Sequence, residues 1–219
     1  MHLVLLSNTR TGSKMLRSML RAGPNVADLG TPFVTYQRQT PDAPESEGWG
    51  SYLDAHADDA PIVLSNLKVG AWFAFAGWQD AAATAHEHGA RFVTLRREDT
   101  LAEACSWALA MAFGGFMGIR AWEDPDSGYY GQQPTITPDP AVIRQDVADR
   151  TAALAELDAL VADWPHADLV YEHLSPDYVA DALATLGIAA APGWPTTQKI
   201  APPLADYVAN LAEVRAALA

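Results

Sequence analysis

LVLLSNTRTGSKMLRSML, residues 3–20, is the stretch on which the fold is decided. Leu3-Val4-Leu5-Leu6 reads as a buried strand, Ser7 to Gly12 as a polar turn, and the residues after it as a helix. Met15, Leu16, Met19 and Leu20 repeat at helical spacing and face a core. Lys14, Arg17 and Arg21 fall on another side, where Arg17 and Arg21 read as a solvated charged face. Strand, glycine-containing loop and helix in that order bring backbone N–H groups and a helix N-terminus to one point, which attracts a phosphate or sulfate. Arg10 and Lys14 add fixed charge there. A cation in the first helical turn opposes the helix dipole, at a cost of about 0.3–1 kcal/mol unless an anion is bound. The loop is not a Walker A sequence, because its only glycine is Gly12, followed by Ser13 and Lys14.

The same alternation continues along the chain. Strands are predicted at 2–7, 61–66, 91–96 and 167–171, and helices at 12–22, 77–89, 99–118, 140–164, 176–187 and 203–218. Strands separated by helices imply an α/β fold with one parallel sheet flanked by helices on both faces. The 219 residues are read as one domain, 1–219, with irregular loops at 37–60 and 119–139. Ligands of such sheets bind at the carboxyl ends of the strands. Ser7 to Ser13 and Arg96 to Asp99 both leave strands at that edge, so two basic turns are expected to face one crevice. The irregular loops carry Trp49, Tyr52, Trp122, Tyr129 and Tyr130; an acceptor-binding lid and a plain surface connection both fit them.

Composition narrows the class. Apolar residues make up 49% and charged residues 19%, the balance of a folded globular chain. No apolar run reaches the length of a membrane span. No charged leader or cleavage site precedes the first strand, and the one cysteine, Cys105, suits a reducing compartment. The expected location is therefore the cytoplasm. Cys105 sits in an apolar helical stretch and reads as packed rather than reactive. With 27 acidic and 14 basic residues the net charge is −13, which disfavours nucleic acid and anionic membranes as partners. Yet residues 1–27 contain Arg10, Lys14, Arg17 and Arg21 and no acidic group. His86 and His88 flank Glu87 on a polar helix, two residues apart and off a common face, so no metal site is expected there.

A second site is suggested by RFVTLRREDTLAEACSWALAMAF, residues 91–113. The strand ends in Arg96-Arg97, Asp99 or Thr100 can cap the next helix, and Ser106 lies two turns into it. Arginine at a strand end and a hydroxyl on the following helix suit one phosphate monoester, although a helix serine bonding back to a carbonyl fits Ser106 as well. The two turns together resemble the sulfotransferases that use 3′-phosphoadenosine 5′-phosphosulfate (PAPS), most nearly the bacterial trehalose 2-sulfotransferase type. The family's 5′-phosphosulfate loop is similar to Ser7-Asn8-Thr9-Arg10-Thr11-Gly12-Ser13-Lys14-Met15-Leu16, and its 3′-phosphate motif resembles Leu95-Arg96-Arg97-Glu98-Asp99 followed by Glu103-Ala104-Cys105-Ser106. A downstream Y-E-x-L resembles Tyr171-Glu172-His173-Leu174, and the tail from Leu204 to Asn210 resembles family C-termini.

The resemblance implies a P-loop sulfotransferase-like fold and sulfuryl transfer from PAPS to a hydroxyl of a small acceptor, a sugar or secondary metabolite. It places Arg10, Thr11, Gly12, Ser13, Lys14 and Met15 on the 5′-phosphosulfate, Arg97 or Arg96 with Ser106 on the 3′-phosphate, and Lys199 closing over the nucleotide. No metal is implied, and a homodimer stays open. Two departures stand out. Lys14 replaces the family's threonine, and neither the glutamate nor the histidine that serves as base elsewhere is present, as Gly30-Thr31-Pro32-Phe33-Val34 and Leu67-Lys68-Val69-Gly70 show. Catalysis is then expected to rest on positioning and charge, with Lys14 and Arg10 at the transferred group. Asp28, Tyr36 and Lys68 are the candidates for base or acceptor positioner. Two alternatives remain: a nucleotide-binding module without catalysis, and a P-loop kinase invited by Gly12-Ser13-Lys14.

Overall fold

The structure, a computed structural model, describes residues 1–30, 45–69, 77–112, 135–195 and 203–219. The predicted sites Tyr36 and Lys199, and the loop residues 37–44 and 119–134, lie outside them. The chain divides into two compact units, Met1–Glu98 with Ala152–Gln198, and Asp99–Thr151 with Lys199–Ala219.

The first unit holds a five-stranded sheet in the order β2-β3-β1-β4-β5. The strands are β1 (His2–Ser7), β2 (Val26–Asp28), β3 (Ile62–Lys68), β4 (Arg91–Arg96) and β5 (His166–Val170), and every pairing is parallel. Its helices are α1 (Ser13–Arg21), α2 (Glu45–Ala55) and α3 (Trp78–Glu87), with a 3-10 turn at Tyr171–His173 and α6 (Pro176–Thr185) after β5. In the second unit lie α4 (Thr100–Ala112), α7 (Leu204–Tyr207) and α8 (Leu211–Ala216); the long α5 (Pro140–Val161) begins there and ends in the first unit.

Strand alternation sorts the sheet's two faces. Leu3 and Leu5 of β1 join Leu64, Val93, Leu95 and Leu169 in a core covered by Leu16, Met19 and Leu20 of α1 and Val179 and Leu183 of α6. Val4 and Leu6 point the other way, to Leu67, Phe92, Trp49 and Leu53 of α2, Ala81 and Ala85 of α3, and Leu157 and Val161 of α5. Both faces are thus buried, which is why β1 reads as a continuous apolar run rather than an alternating one. In the second unit, Cys105, Leu109, Ile136, Ile143, Tyr207 and Val214 form a separate core. There burial pushes the Cys105 thiol up to about 11, so it stays protonated and packed.

Several elements depart from the sequence expectation. Residues 45–55, expected within an irregular loop, form α2, where Trp49 and Leu53 lie one helical turn apart and are buried. Gly48 and Gly50 disguise this helix. A side chain at Gly50 would come within 2.9 Å of His88 Nε2, so the glycine marks a close approach of α2 to the end of α3 rather than a loop. The expected helix over 203–218 is broken, because Val208 leaves it to bridge Ile136, with Ala209 N–H donating to the Ile136 carbonyl at 2.9 Å. Strand β2, three residues of half-buried edge, is an addition to the strands the sequence predicts. His86, expected in solvent, stacks on Trp164 with ring centres 4.6 Å apart.

Candidate functional site at the carboxyl edge of the sheet

Register brings the site together in the first unit. Ser7, the last residue of β1, is level with Lys68 on β3 and Leu95 on β4. Ser7 and Lys68 lie on the α1 face, by the alternation that places Leu5 and Leu64 there. Continued past the strand ends, the same alternation puts Arg97, two beyond Leu95, and Tyr171, two beyond Leu169, in the same row.

The loop from Ser7 to Ser13 is held from inside. Thr11 Oγ1 donates to the Asn8 carbonyl at 2.9 Å, and Ser7 Oγ faces Asn66 Oδ1 at 3.4 Å. Lys68 lies across its two ends, donating to Ser7 Oγ at 2.9 Å, the Asn8 carbonyl at 3.1 Å and Ser13 Oγ at 2.7 Å. An ammonium has three protons, and each has an oxygen acceptor in this loop. The backbone takes left-handed conformations at Arg10 (φ 71°) and Gly12 (φ 93°). Gly12 caps α1 and, having no side chain, makes no capping bond to the helix's first N–H groups. A helix start whose cap has no side chain, with Lys68, Arg10 and exposed Lys14 close to it in the loop, has the chemistry that suits an anion. Thr11 is fully buried, so its contribution to a ligand is its backbone, whereas Ser13 accepts from Lys68 and keeps its own proton to donate.

Arg96 and Arg97 separate to opposite faces. Arg96 is engaged by two carboxylates, Asp158 on α5 and Asp168 on β5, with its Nη1 3.0 Å from Asp158 Oδ2 and its Nη2 3.1 Å from Asp168 Oδ1. Arg97 turns toward α1. Its side chain is only 9% exposed and its guanidinium carbon lies 5.0 Å from the centre of the Tyr171 ring, within cation–π range. Glu172 flanks the turn. One carboxylate oxygen is 3.4 Å from Arg97 Nε, and the other accepts from the Glu98 N–H at 3.1 Å. Arg97 Nε makes no hydrogen bond among the described residues, a buried donor that an anion would complete.

Tyr171 joins the two turns. A methyl group placed on Gly12 would collide with the Tyr171 ring, so the ring that carries the Arg97 guanidinium over it also lies directly against the loop. Burial raises the phenol's pKa, and the charges of Arg97 and Arg10 partly offset that rise. The sequence offered Tyr171 only as part of a short motif, but its parity with Leu169 was the available signal.

Asp28 has a different setting from the one expected of a base. Its side chain is 3% exposed and both oxygens are engaged by Arg17, with Nε at 2.9 Å and Nη2 at 2.8 Å, while Gly30 N–H donates at 2.9 Å. Arg17 is therefore drawn off the solvated face assigned to it, because β2 supplies a carboxylate there. Arg21 stays exposed. Ser106 belongs to the second unit, on α4, where it is 3% exposed. Asp99 Oδ1 accepts from Ala102 N–H at 2.8 Å and so caps that helix.

No protein-family model and no curated protein matches the chain. Solved structures do. A sulfotransferase from Alicyclobacillus acidocaldarius is similar at 15% identity and a TM-score of 0.51, over 99% of this chain and 94% of that one. The sulfotransferase domain from the curacin biosynthetic pathway is similar at 12% identity and a TM-score of 0.51, over 85% of this chain and 73% of that one. The likeness is one of fold: a parallel sheet flanked by helices, as in these sulfotransferases. No described helix is long and apolar enough to cross a membrane.

Proposed function

We propose that this chain is a sulfotransferase that moves a sulfuryl group from PAPS to a hydroxyl of a small acceptor. The observation that carries the reading is the row Ser7, Lys68, Arg97 and Tyr171 on one face of the sheet edge, with the Gly12-capped start of α1 beside it. A glycine-capped helix start with Lys68 and Arg10 suits the phosphosulfate, and a nearby buried arginine suits a second phosphate on the same nucleotide. Sulfotransferases of the same fold give the reading its reaction class.

In this reading the acceptor oxygen forms its bond to sulfur as the bond from sulfur to the 5′-phosphate oxygen breaks, and the acceptor hydroxyl gives its proton to water. Charge accumulates on that phosphate oxygen. The α1 N–H groups, Arg10, Lys14 and the Ser13 hydroxyl stabilise it there, with Lys68 holding Ser13 in place. Lys68, with its three protons engaged, is a source of positive charge rather than a base. Asp28, clasped by Arg17, ties α1 to β2 and is not assigned the acceptor proton. Tyr36, Ser106 and Lys199 enter the proposal on sequence grounds alone, Tyr36 as acceptor positioner and the other two as nucleotide ligands. The cytoplasm is the proposed location, and the proposed partners are small molecules.

Calorimetry with adenosine 3′,5′-bisphosphate and with ATP–Mg²⁺ tests the nucleotide, and PAPS with a panel of small alcohols, sugars and phenols tests transfer. Preference for the bisphosphate and its release as product in the presence of an acceptor are expected. Preference for ATP makes the chain a kinase instead. Binding with no turnover on any hydroxyl leaves a nucleotide-binding module.

A further inference from the structure

Tyr171 has no bonding role in the proposed transfer, yet it touches both turns that the transfer needs. Its ring fills the space a Gly12 side chain would occupy, with atoms 2.2 and 2.3 Å from that position. The Arg97 guanidinium lies 5.0 Å from the centre of the same ring. The next residue, Glu172, accepts from Glu98 N–H and pairs with Arg97 Nε, so the 3-10 turn Tyr171–His173 holds the β4 exit by its backbone as well as by its side chain. The arginine is nearly buried and long, with several rotatable bonds, and its Nε makes no hydrogen bond among the described residues. Left to itself, such a side chain has many rotamers to lose on gripping a ligand.

We infer that Tyr171 is a positioning residue that fixes Arg97 at a set distance from the Gly12 loop and thereby makes the site discriminate nucleotides carrying a 3′-phosphate from those without one. The inference rests on the sulfotransferase reading above. A planar ring suits this role. It is rigid, it seats against a glycine that cannot push it away, and it presents a face to the guanidinium without competing for its hydrogen-bond donors. The selectivity then arises from one aromatic spacer between two anion grips. Glu172 takes the remaining side of Arg97 and keeps it from swinging out toward solvent.

The test compares adenosine 3′,5′-bisphosphate with adenosine 5′-monophosphate by calorimetry on the full chain, for the unaltered protein and for Tyr171→Phe, Tyr171→Leu, Arg97→Ala and the Tyr171→Leu, Arg97→Ala double variant. Tyr171→Leu is expected to lower the preference for the bisphosphate about tenfold, the size of a desolvated cation–π contact, while leaving monophosphate affinity within about twofold. That retained monophosphate binding also reports a folded loop. Tyr171→Phe keeps the ring and is expected to restore the preference. In the double variant Tyr171→Leu should add no further loss, because Arg97 is the residue it acts through. Equal losses for both nucleotides mark Tyr171 as a contact to their common part and overturn the inference, as does an unchanged preference in Tyr171→Leu. If the unaltered chain binds neither nucleotide, the sulfotransferase reading falls and takes this inference with it. If it prefers the bisphosphate but Tyr171→Leu retains that preference, only the inference falls.

Discussion

The turns leaving β1 and β4 emerge from neighbouring strands of one sheet, and both are rich in positive charge, but they are built on opposite plans. The β1 exit starts its helix on Gly12, which has no side chain to cap with, and holds Lys68 against the loop, with loop hydroxyls and one carbonyl as acceptors. The β4 exit is saturated with carboxylates: Asp158 and Asp168 on Arg96, Glu172 beside Arg97 and on Glu98 N–H, Asp99 on the helix that follows. Under the sulfotransferase proposal this contrast divides the labour: the β1 turn, built on loop hydroxyls and backbone, is expected to supply affinity, and the β4 turn, whose cations have counter-ions, to supply selection, since a phosphate must compete for them.

The plan of the first turn is broken most severely at Gly12. Gly12→Ala meets two penalties at once, a left-handed φ of 93° and a ring 2.2 Å from the new carbon. Strain of about 1–2 kcal/mol and overpacking of about 1–3 kcal/mol put the expected loss of stability near 2–5 kcal/mol. Urea unfolding measures it, and bisphosphate binding should vanish with the loop geometry. A midpoint unchanged from the parent protein would show that the Tyr171 ring can retreat, and would loosen the link between the two turns.

Lys68→Met keeps the length of the stem and removes the ammonium. The three bonds share one charge, and the freed oxygens partly regain water, so about 1.5–3 kcal/mol of stability is expected to go rather than three times that. Nucleotides with and without a 3′-phosphate should weaken together, by ten-fold or more, because the loss is confined to the 5′ grip. Selective weakening of the bisphosphate would instead assign Lys68 to the other turn.

How far this was legible in the sequence follows the same physics. Strand β1, the loop and α1 are legible because a doubly buried strand, a glycine turn and an amphipathic helix each leave a strong local pattern. Strand β4 is legible for the same reason, and the edge strand β5 by its alternation of buried Ala167 and Leu169 with exposed Asp168. Helix α2 is not, since Gly48 and Gly50 have low helix propensity and only the approach of His88 explains Gly50. Strand β2 is three residues long and half-buried, too short to alternate. Its absence from the sequence reading hid the partner of Arg17 and made Asp28 look available. At the site, the residue types were readable but their facing was not. Arg96 and Arg97 are adjacent in sequence and equal in charge, and only the sheet's alternation, with Asp158 brought in from α5, tells them apart.

That pair gives the finest test of the comparison. Arg97→Ala removes a nearly buried charged donor, and bisphosphate binding is expected to weaken by about 1.5–3 kcal/mol, with monophosphate binding little changed. Arg96→Ala removes a guanidinium on the opposite face, 29% exposed and paired with exposed carboxylates. Ion pairs of that kind contribute about 0–1 kcal/mol, so a small fall in the unfolding midpoint is expected, and no change in the preference for the bisphosphate. Both variants lower the local positive charge by one, so long-range attraction of an anionic nucleotide falls similarly in each, and raising the salt removes that shared part. What survives at high salt is contact. A bisphosphate-specific loss that persists there for Arg97→Ala and disappears for Arg96→Ala places the second grip on the α1 face of the sheet, whereas the reverse pattern moves it to the α5 face and separates it from Tyr171 and the Gly12 loop.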